Sequence, residues 1–243
     1  MPSRFSQSFI VVVATALVAL GAAAPAFAGV VSSSGAYGTL SAYPLAGATL
    51  DTRLGMTTSP IPVAWSTALT MGNGGWELGL GSTVVSAGAA KLASFDNLAP
   101  WGRVRIATLW GVPLIFLAGA SIPAATGSDT VAGAGVGASF NWDGDQVDVN
   151  LGSRLNPADT SKLLQGAATV LFSHTLGKDF VGNAELVFHL GSPNTANKMI
   201  ERLGFTKTFS DNWATDLSVS LDTPLSSGSA LIVSPSFGVT YKF

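Results

Sequence analysis

Along much of the chain, apolar and polar positions alternate with a period of two, the pattern of a strand whose faces meet different surroundings. In the last segment Leu231, Val233, Pro235, Phe237, Val239, Tyr241 and Phe243 share one face. Ala230, Ile232, Ser234, Ser236, Gly238, Thr240 and Lys242 share the other. Pro235 cannot donate to a ladder, so a bulge or local defect is expected there. Trp213, Leu217, Val219 and Leu221 alternate with Ala214, Asp216, Ser218, Ser220 and Asp222. The same period runs through 180–190 and 145–155. Counted back from Phe243, the pattern predicts ten strands: 76–86, 103–111, 113–124, 130–142, 145–156, 163–176, 179–190, 198–210, 212–224 and 229–243. One uncharged run, 106–128, has the length of a transmembrane helix. Gly111, Pro113, Gly119, Pro123 and Gly127 interrupt it, so it reads as two strands about a turn.

Composition decides which face meets which medium. Only 11% of residues are charged, against about a quarter in a soluble domain, and mean hydropathy is +0.43. A soluble barrel keeps its apolar face inside and charge outside, whereas a membrane barrel reverses this. The fold class expected is therefore all-β, an antiparallel transmembrane barrel. In hydrocarbon an unpaired edge would cost several kcal/mol per orphan group, so first strand must join last.

An even strand number puts both termini on the periplasmic side of a bacterial outer membrane, with short turns there and longer loops opposite. Asp143-Gly144, Gly177-Lys178 and Ser210-Asp211-Asn212 are tight, while the alternate connections 87–102, 157–162 and 191–197 are longer. Trp76, Trp110, Trp142, Phe209, Trp213, Tyr241 and Phe243 then all fall at periplasmic strand ends, as an interfacial girdle would. His174 and Lys207 land on the lipid face, but near a turn, where a polar group costs little and a lysine stem snorkels.

Residues 1–28 read as a cleaved signal peptide, with Arg4 ahead of an apolar run and Ala26-Phe27-Ala28 at the cleavage position. Residues 29–75 are expected to form a periplasmic or lumenal N-terminal segment ahead of a barrel spanning 76–243. Pro44, Pro60 and Pro62 weaken that segment as strand, although 63–71 could pair with 76–85 across 72–75. Twelve strands is the alternative.

The final strand, ending Gly238-Val239-Thr240-Tyr241-Lys242-Phe243, resembles the C-terminal signal of bacterial outer-membrane proteins. That resemblance implies delivery by the barrel-assembly machinery to the lipids of a Gram-negative outer membrane. Ser66-Thr67-Ala68-Leu69-Thr70, then Gly75-Trp76-Glu77-Leu78-Gly79-Leu80-Gly81, and Ser234-Pro235-Ser236-Phe237-Gly238 near the end are similar to the outer-membrane family associated with the phenol-degradation meta-pathway, the MetA-type transporters. This likeness implies passage of small molecules, aromatic or hydrophobic ones among them.

The inward-facing ionisable set is Glu77, Arg103, Arg105, Asp148, Arg154, Glu185, His189, Arg202, Asp216, Asp222 and Lys242. Rings of one sign would select permeants. Here signs mix, so a channel wall and a lumen closed by paired charges are both open readings. Gly133, Gly135 and Gly137 leave one inward face bare, for a permeant, for residues 29–75, or for tight curvature. A net charge of −2 offers no face to nucleic acid, and zero Cys excludes disulfides and thiolate chemistry. With only His174 and His189, no metal site or other cofactor is expected. A hydrolase base of His189 with Asp222 is conceivable, but neither histidine sits in a hydrolase motif, and no enzyme is expected. The leading expectation is passive passage of small molecules, with a non-conducting structural barrel as the alternative.

Overall fold

The computed structural model describes residues 41–56, 62–87, 94–123, 130–155, 164–190, 198–225 and 231–243. They form twelve strands: β1 (Ala46–Met56), β2 (Pro62–Asn73), β3 (Trp76–Ala87), β4 (Ser94–Leu109), β5 (Val112–Pro123), β6 (Val131–Trp142), β7 (Asp145–Leu155), β8 (Leu164–Gly177), β9 (Phe180–Leu190), β10 (Lys198–Thr208), β11 (Trp213–Pro224) and β12 (Ile232–Lys242). Each pairs antiparallel with its sequence neighbours, and β1 pairs with β12 from Thr49↔Lys242 to Gly55↔Ser236. The sheet closes on itself and leaves no edge.

Twelve strands, the alternative, replace the expected ten. The two additional strands come from the stretch set aside as an N-terminal segment, and β2 pairs β3 from Pro62↔Ala87 to Gly72↔Glu77. Proline did not prevent this. Pro62 is the first residue of β2, where a missing donor is tolerated, and Pro44 precedes β1. The expected signal peptide at 1–28 lies outside the described residues.

Other boundaries shift for local reasons. β4 begins at Ser94, well before Arg103. Its ladder to β5 passes from Leu98↔Ile122 to Trp101↔Gly119 in the same register without Ala99 or Pro100, and its register shifts between Arg105 and Ala107. Pro235 makes no bulge: β11–β12 pairing runs through Val219↔Pro235 unbroken, while β1–β12 pairing stops at Ser236. No described helix is long and apolar enough to cross a membrane. The uncharged run at 106–128 instead ends β4, turns at Trp110 and Gly111 with φ of 50° and 83°, and forms β5.

Burial follows the period of two. In β11, Ala214, Asp216, Ser218 and Ser220 are buried while Trp213, Leu217 and Val219 are exposed. Across the barrel many large apolar side chains are exposed, among them Leu54, Trp65, Leu78, Leu151, Leu203 and Phe237. Buried positions are mostly polar or charged. Oily side chains therefore face outward and wet ones inward, as a spanning barrel requires.

Candidate functional site: the lumen

Four turns, at Gly74, Trp110-Gly111, Gly144 and residues 178–179, lie on one rim with residues 209–212 and the start of β1. This is the turn rim. The opposite, loop rim holds connections outside the described residues. Trp76, Trp142, Trp213 and Tyr241 stand at turn-rim strand ends, with Trp110, Phe209 and Phe243 in or beside the turns. Trp213 packs on Tyr241 at 4.6 Å and Tyr241 on Phe243 at 5.0 Å. His174 faces outward nearby with Nδ1 2.5 Å from Asp145, and Lys207 lies 5.1 Å over the Phe209 ring.

Inside, several ionisable side chains pair with a neighbour of opposite sign. Arg103 Nη2 donates to Glu77 Oε2 at 2.6 Å, both fully buried and directly opposed on β4 and β3. Arg202 on β10 meets Glu185 on β9 at 2.6 Å. Lys198 reaches Asp222 at 3.3 Å, so the carboxylate that a His189 base would need is engaged by a cation. His189 itself is half-buried. Asp148 is buried between Ser139 and Gln146, which both donate to it. Arg105 is exposed, its guanidinium 5.5 Å from the Tyr43 ring centre. The Arg154 side chain lies outside the described residues. Lys242 is half-buried at the turn rim. Among the described residues no group of three His, Cys, Asp or Glu is placed to hold a metal.

Three features depend on contacts between distant parts of the chain. The first is a pair on β1 and β11, where Arg53 Nη2 lies 2.6 Å from Asp216 Oδ1 and donates to Oδ2 at 2.8 Å. It bridges β12 across Gly238, whose added Cβ would stand 2.1 Å from Asp216 and 2.6 Å from Arg53. The alternation of Thr49, Asp51 and Arg53 with Leu50 and Leu54 signals it.

The second is a strap. Residues 41–45 cross the lumen at the turn rim, with Ser41, Ala42 and Leu45 buried. Their main chain is held from two walls. Arg103 donates to the Ser41 carbonyl, and Leu45 N–H donates to Glu77 Oε2 at 2.5 Å. On the other wall Ala42 N–H donates to Ser139 Oγ at 2.5 Å, and Gln146 to Ser41 Oγ at 2.9 Å. Gly72 makes room: a Cβ there would be 2.3 Å from the Leu45 carbonyl oxygen.

The third is a cavity of about 480 Å³ on the concave inner wall of β4–β8, lined by Trp101, Leu117, Gly119, Asn150, Gly152 and Thr169. The Trp101 indole lies against Gly79, where an added Cβ would be 2.3–2.5 Å from three ring atoms. Thr169 is buried, and its Oγ1 has no hydrogen-bond partner among the described residues. β5 and β6 carry no charged residue. Of the three glycines singled out, Gly133 lines this cavity. Gly137 yields space to Asn150 and Ile115. Gly135 faces Gly152 where a Cβ would meet the Leu151 carbonyl at 2.5 Å.

Solved barrels share this architecture. The KdgM porin, determined in complex with disordered oligogalacturonate, matches with TM-score 0.62 at 12% identity over 80% of this chain and 99% of its own. The NanC porin matches with TM-score 0.64 at 11% identity, over 80% and 100%. The fold is porin-type. At such identity the likeness reaches the fold and no further. No protein-family model and no curated protein matches the chain, so the resemblance to the meta-pathway transporters gains nothing from these comparisons.

Proposed function

We propose that the chain is an outer-membrane barrel of a Gram-negative bacterium that passes small molecules by diffusion through its lumen. The observation that carries this reading is the closed twelve-strand sheet, apolar outside and polar inside, enclosing a cavity of about 480 Å³. The turn rim then faces the periplasm, with its aromatic side chains at headgroup depth. The Lys198–Asp222 contact argues against a hydrolase built on His189.

The permeant class we infer is a small neutral ring, aromatic or otherwise apolar, carrying at most one hydrogen-bonding group. A cavity of roughly 150 Å³ already accommodates benzene, so this one has room for a ring and a substituent. Trp101 offers an aromatic surface, the glycines leave bare backbone beside it, and Thr169 borders the same wall. Opposite, β9–β12 and β1 hold Glu185 with Arg202 and Asp216 with Arg53 in pairs, with Asp51 sharing the Arg53 cation.

Swelling of proteoliposomes in small neutral solutes tests passage, and no swelling with any solute refutes it. Titration of the Trp101 indole ¹⁵N–H resonance with phenol and with cyclohexanol tests the class. A saturable shift with phenol and a weaker one with cyclohexanol are expected; equal, non-saturating shifts refute the aromatic preference. Residues 41–45 across the turn rim favour a second reading, a barrel that does not conduct in this state.

A further inference from the structure

We propose that residues 41–45 are a gate rather than a fixed constriction, with the ion pair of Glu77 and Arg103 as its latch. The inference rests on the channel reading and adds how the turn-side mouth opens. Glu77 and Arg103 hold both ends of the strap, Arg103 at the Ser41 carbonyl and Glu77 at the Leu45 N–H. Each latch group already has its charge partner in the wall. Glu77 and Arg103 are hydrogen-bonded to each other, and Asp148 takes bonds from Ser139 and Gln146.

Undocking therefore leaves the Glu77–Arg103 pair intact in the wall, and Asp148 keeps its bonds from Ser139 and Gln146. What is lost is a set of neutral or singly charged contacts to main chain, which water replaces at small net cost. A permanent plug built on ion pairs to the strap would behave otherwise, because its removal would strand buried charges. No residue from 41 to 45 is ionised at neutral pH. The strap brings no charge to the lumen and takes none away.

The attachment also suits a moving part. Gly47, at the foot of the strap, has φ of +116°, a conformation that side chains rarely adopt. A Cβ there would make only ordinary contact, 3.7 Å from Lys242 Cε, so the glycine serves backbone conformation rather than space. Motion about a few such residues is how straps and lids swing. The other half of the dock is equally specific, since Gly72 leaves a slot for the Leu45 carbonyl and Gly74 N–H donates to the same oxygen at 3.0 Å.

A tether tests the gate. Ser41 Oγ and Ser139 Oγ are 3.3 Å apart, and the chain has no cysteine, so Ser41→Cys with Ser139→Cys offers one disulfide only. Reconstituted in planar bilayers with native-like heat-modifiable gel mobility as the folding check, the oxidised form is expected to conduct at least tenfold less than the same molecules after reduction. Glu77→Gln, which keeps size but weakens the hold of Arg103, is expected to raise open probability severalfold. Equal conductance of oxidised and reduced tether, with the barrel conducting, overturns the gate and leaves the channel standing. No conductance from wild type, reduced tether or Glu77→Gln overturns the channel reading, and the gate with it.

Discussion

Replacing Arg53 by Met keeps most of the side-chain stem and removes the charge that Asp216 faces. The pair is enclosed: the side chains are 8% and 5% exposed, and Gly238 lets them close over β12. Asp51 lies on the same cation, with Oδ1 4.0 Å from Arg53 Nη2, so its loss leaves two carboxylates together. Stranding one partner of a buried pair costs about 3–5 kcal/mol, whereas an exposed pair is worth about 0–1 kcal/mol. Equilibrium unfolding in urea from lipid vesicles, followed by tryptophan emission, separates these regimes. Arg53→Met should lose about 3 kcal/mol or more, and adding Asp216→Asn should recover most of it. Gly238→Ala should cost about 1–3 kcal/mol by forcing the pair apart. Gly55→Ala, whose Cβ finds Ser236 only at 3.9 Å, should stay near wild type. A loss below about 1 kcal/mol for Arg53→Met would mean that water reaches the pair, and the picture of a buried, water-excluded pair at this level would be wrong.

Gly79→Ala must push aside the Trp101 ring, at 2.3–2.5 Å from the new methyl, so it should cost about 1–3 kcal/mol and shift the Trp101 indole resonance; an unmoved resonance would refute the packing described. Trp110→Asn removes a bulky residue from a φ of 50° beside Gly111, in a turn suited to Asn-Gly, and should stabilise the barrel by roughly 1 kcal/mol in detergent. In lipid the gain should be smaller, because the 98% exposed indole is lost from the membrane interface. Tyr43 has its pKa raised, chiefly by burial, with Arg105 opposing. Its docked form holds the proton more tightly than a released one, so strap docking should weaken as pH rises past the ordinary tyrosine value of 10.0. Conductance should climb there in wild type and stay flat in Tyr43→Phe.

Most of the wall was legible because alternation is a local property. β5, β6, β7 and β9 begin and end within a residue or two of the segments read from side-chain parity. β1 and β2 were set aside on proline alone, although Thr49, Asp51 and Arg53 alternate with Leu50 and Leu54 as clearly as in later strands. Trp101 falls in the stretch 87–102, which reads as a connection. Pro100 precedes it, and the β4–β5 ladder does skip Ala99 and Pro100, yet pairing resumes on both sides and the strand continues. What parity cannot supply is which inward groups meet. Glu77 and Arg103 are partners on adjacent strands, but Arg53 and Asp216 are separated by 163 positions and a whole strand. They meet only because the sheet closes through β1 and β12.

Charge and glycine are also unevenly shared around the wall. β5 and β6 have no charged residue, while β9–β12 and β1 supply Glu185, Arg202, Asp216, Asp51 and Arg53. Long side chains on one half fill the lumen from that side, and pairing among neighbours keeps them against their own wall. Only a bare opposite wall then leaves space, and the cavity lies there, between Trp101 and Thr169. If both halves carried long ionic side chains, their stems would fill the bore. If both carried glycine, nothing would position a solute or support the strap. The division is therefore a condition for having both a dock and a passage inside one narrow barrel, and a bulky residue at Gly119 or Gly152 should reduce passage while leaving the paired half intact.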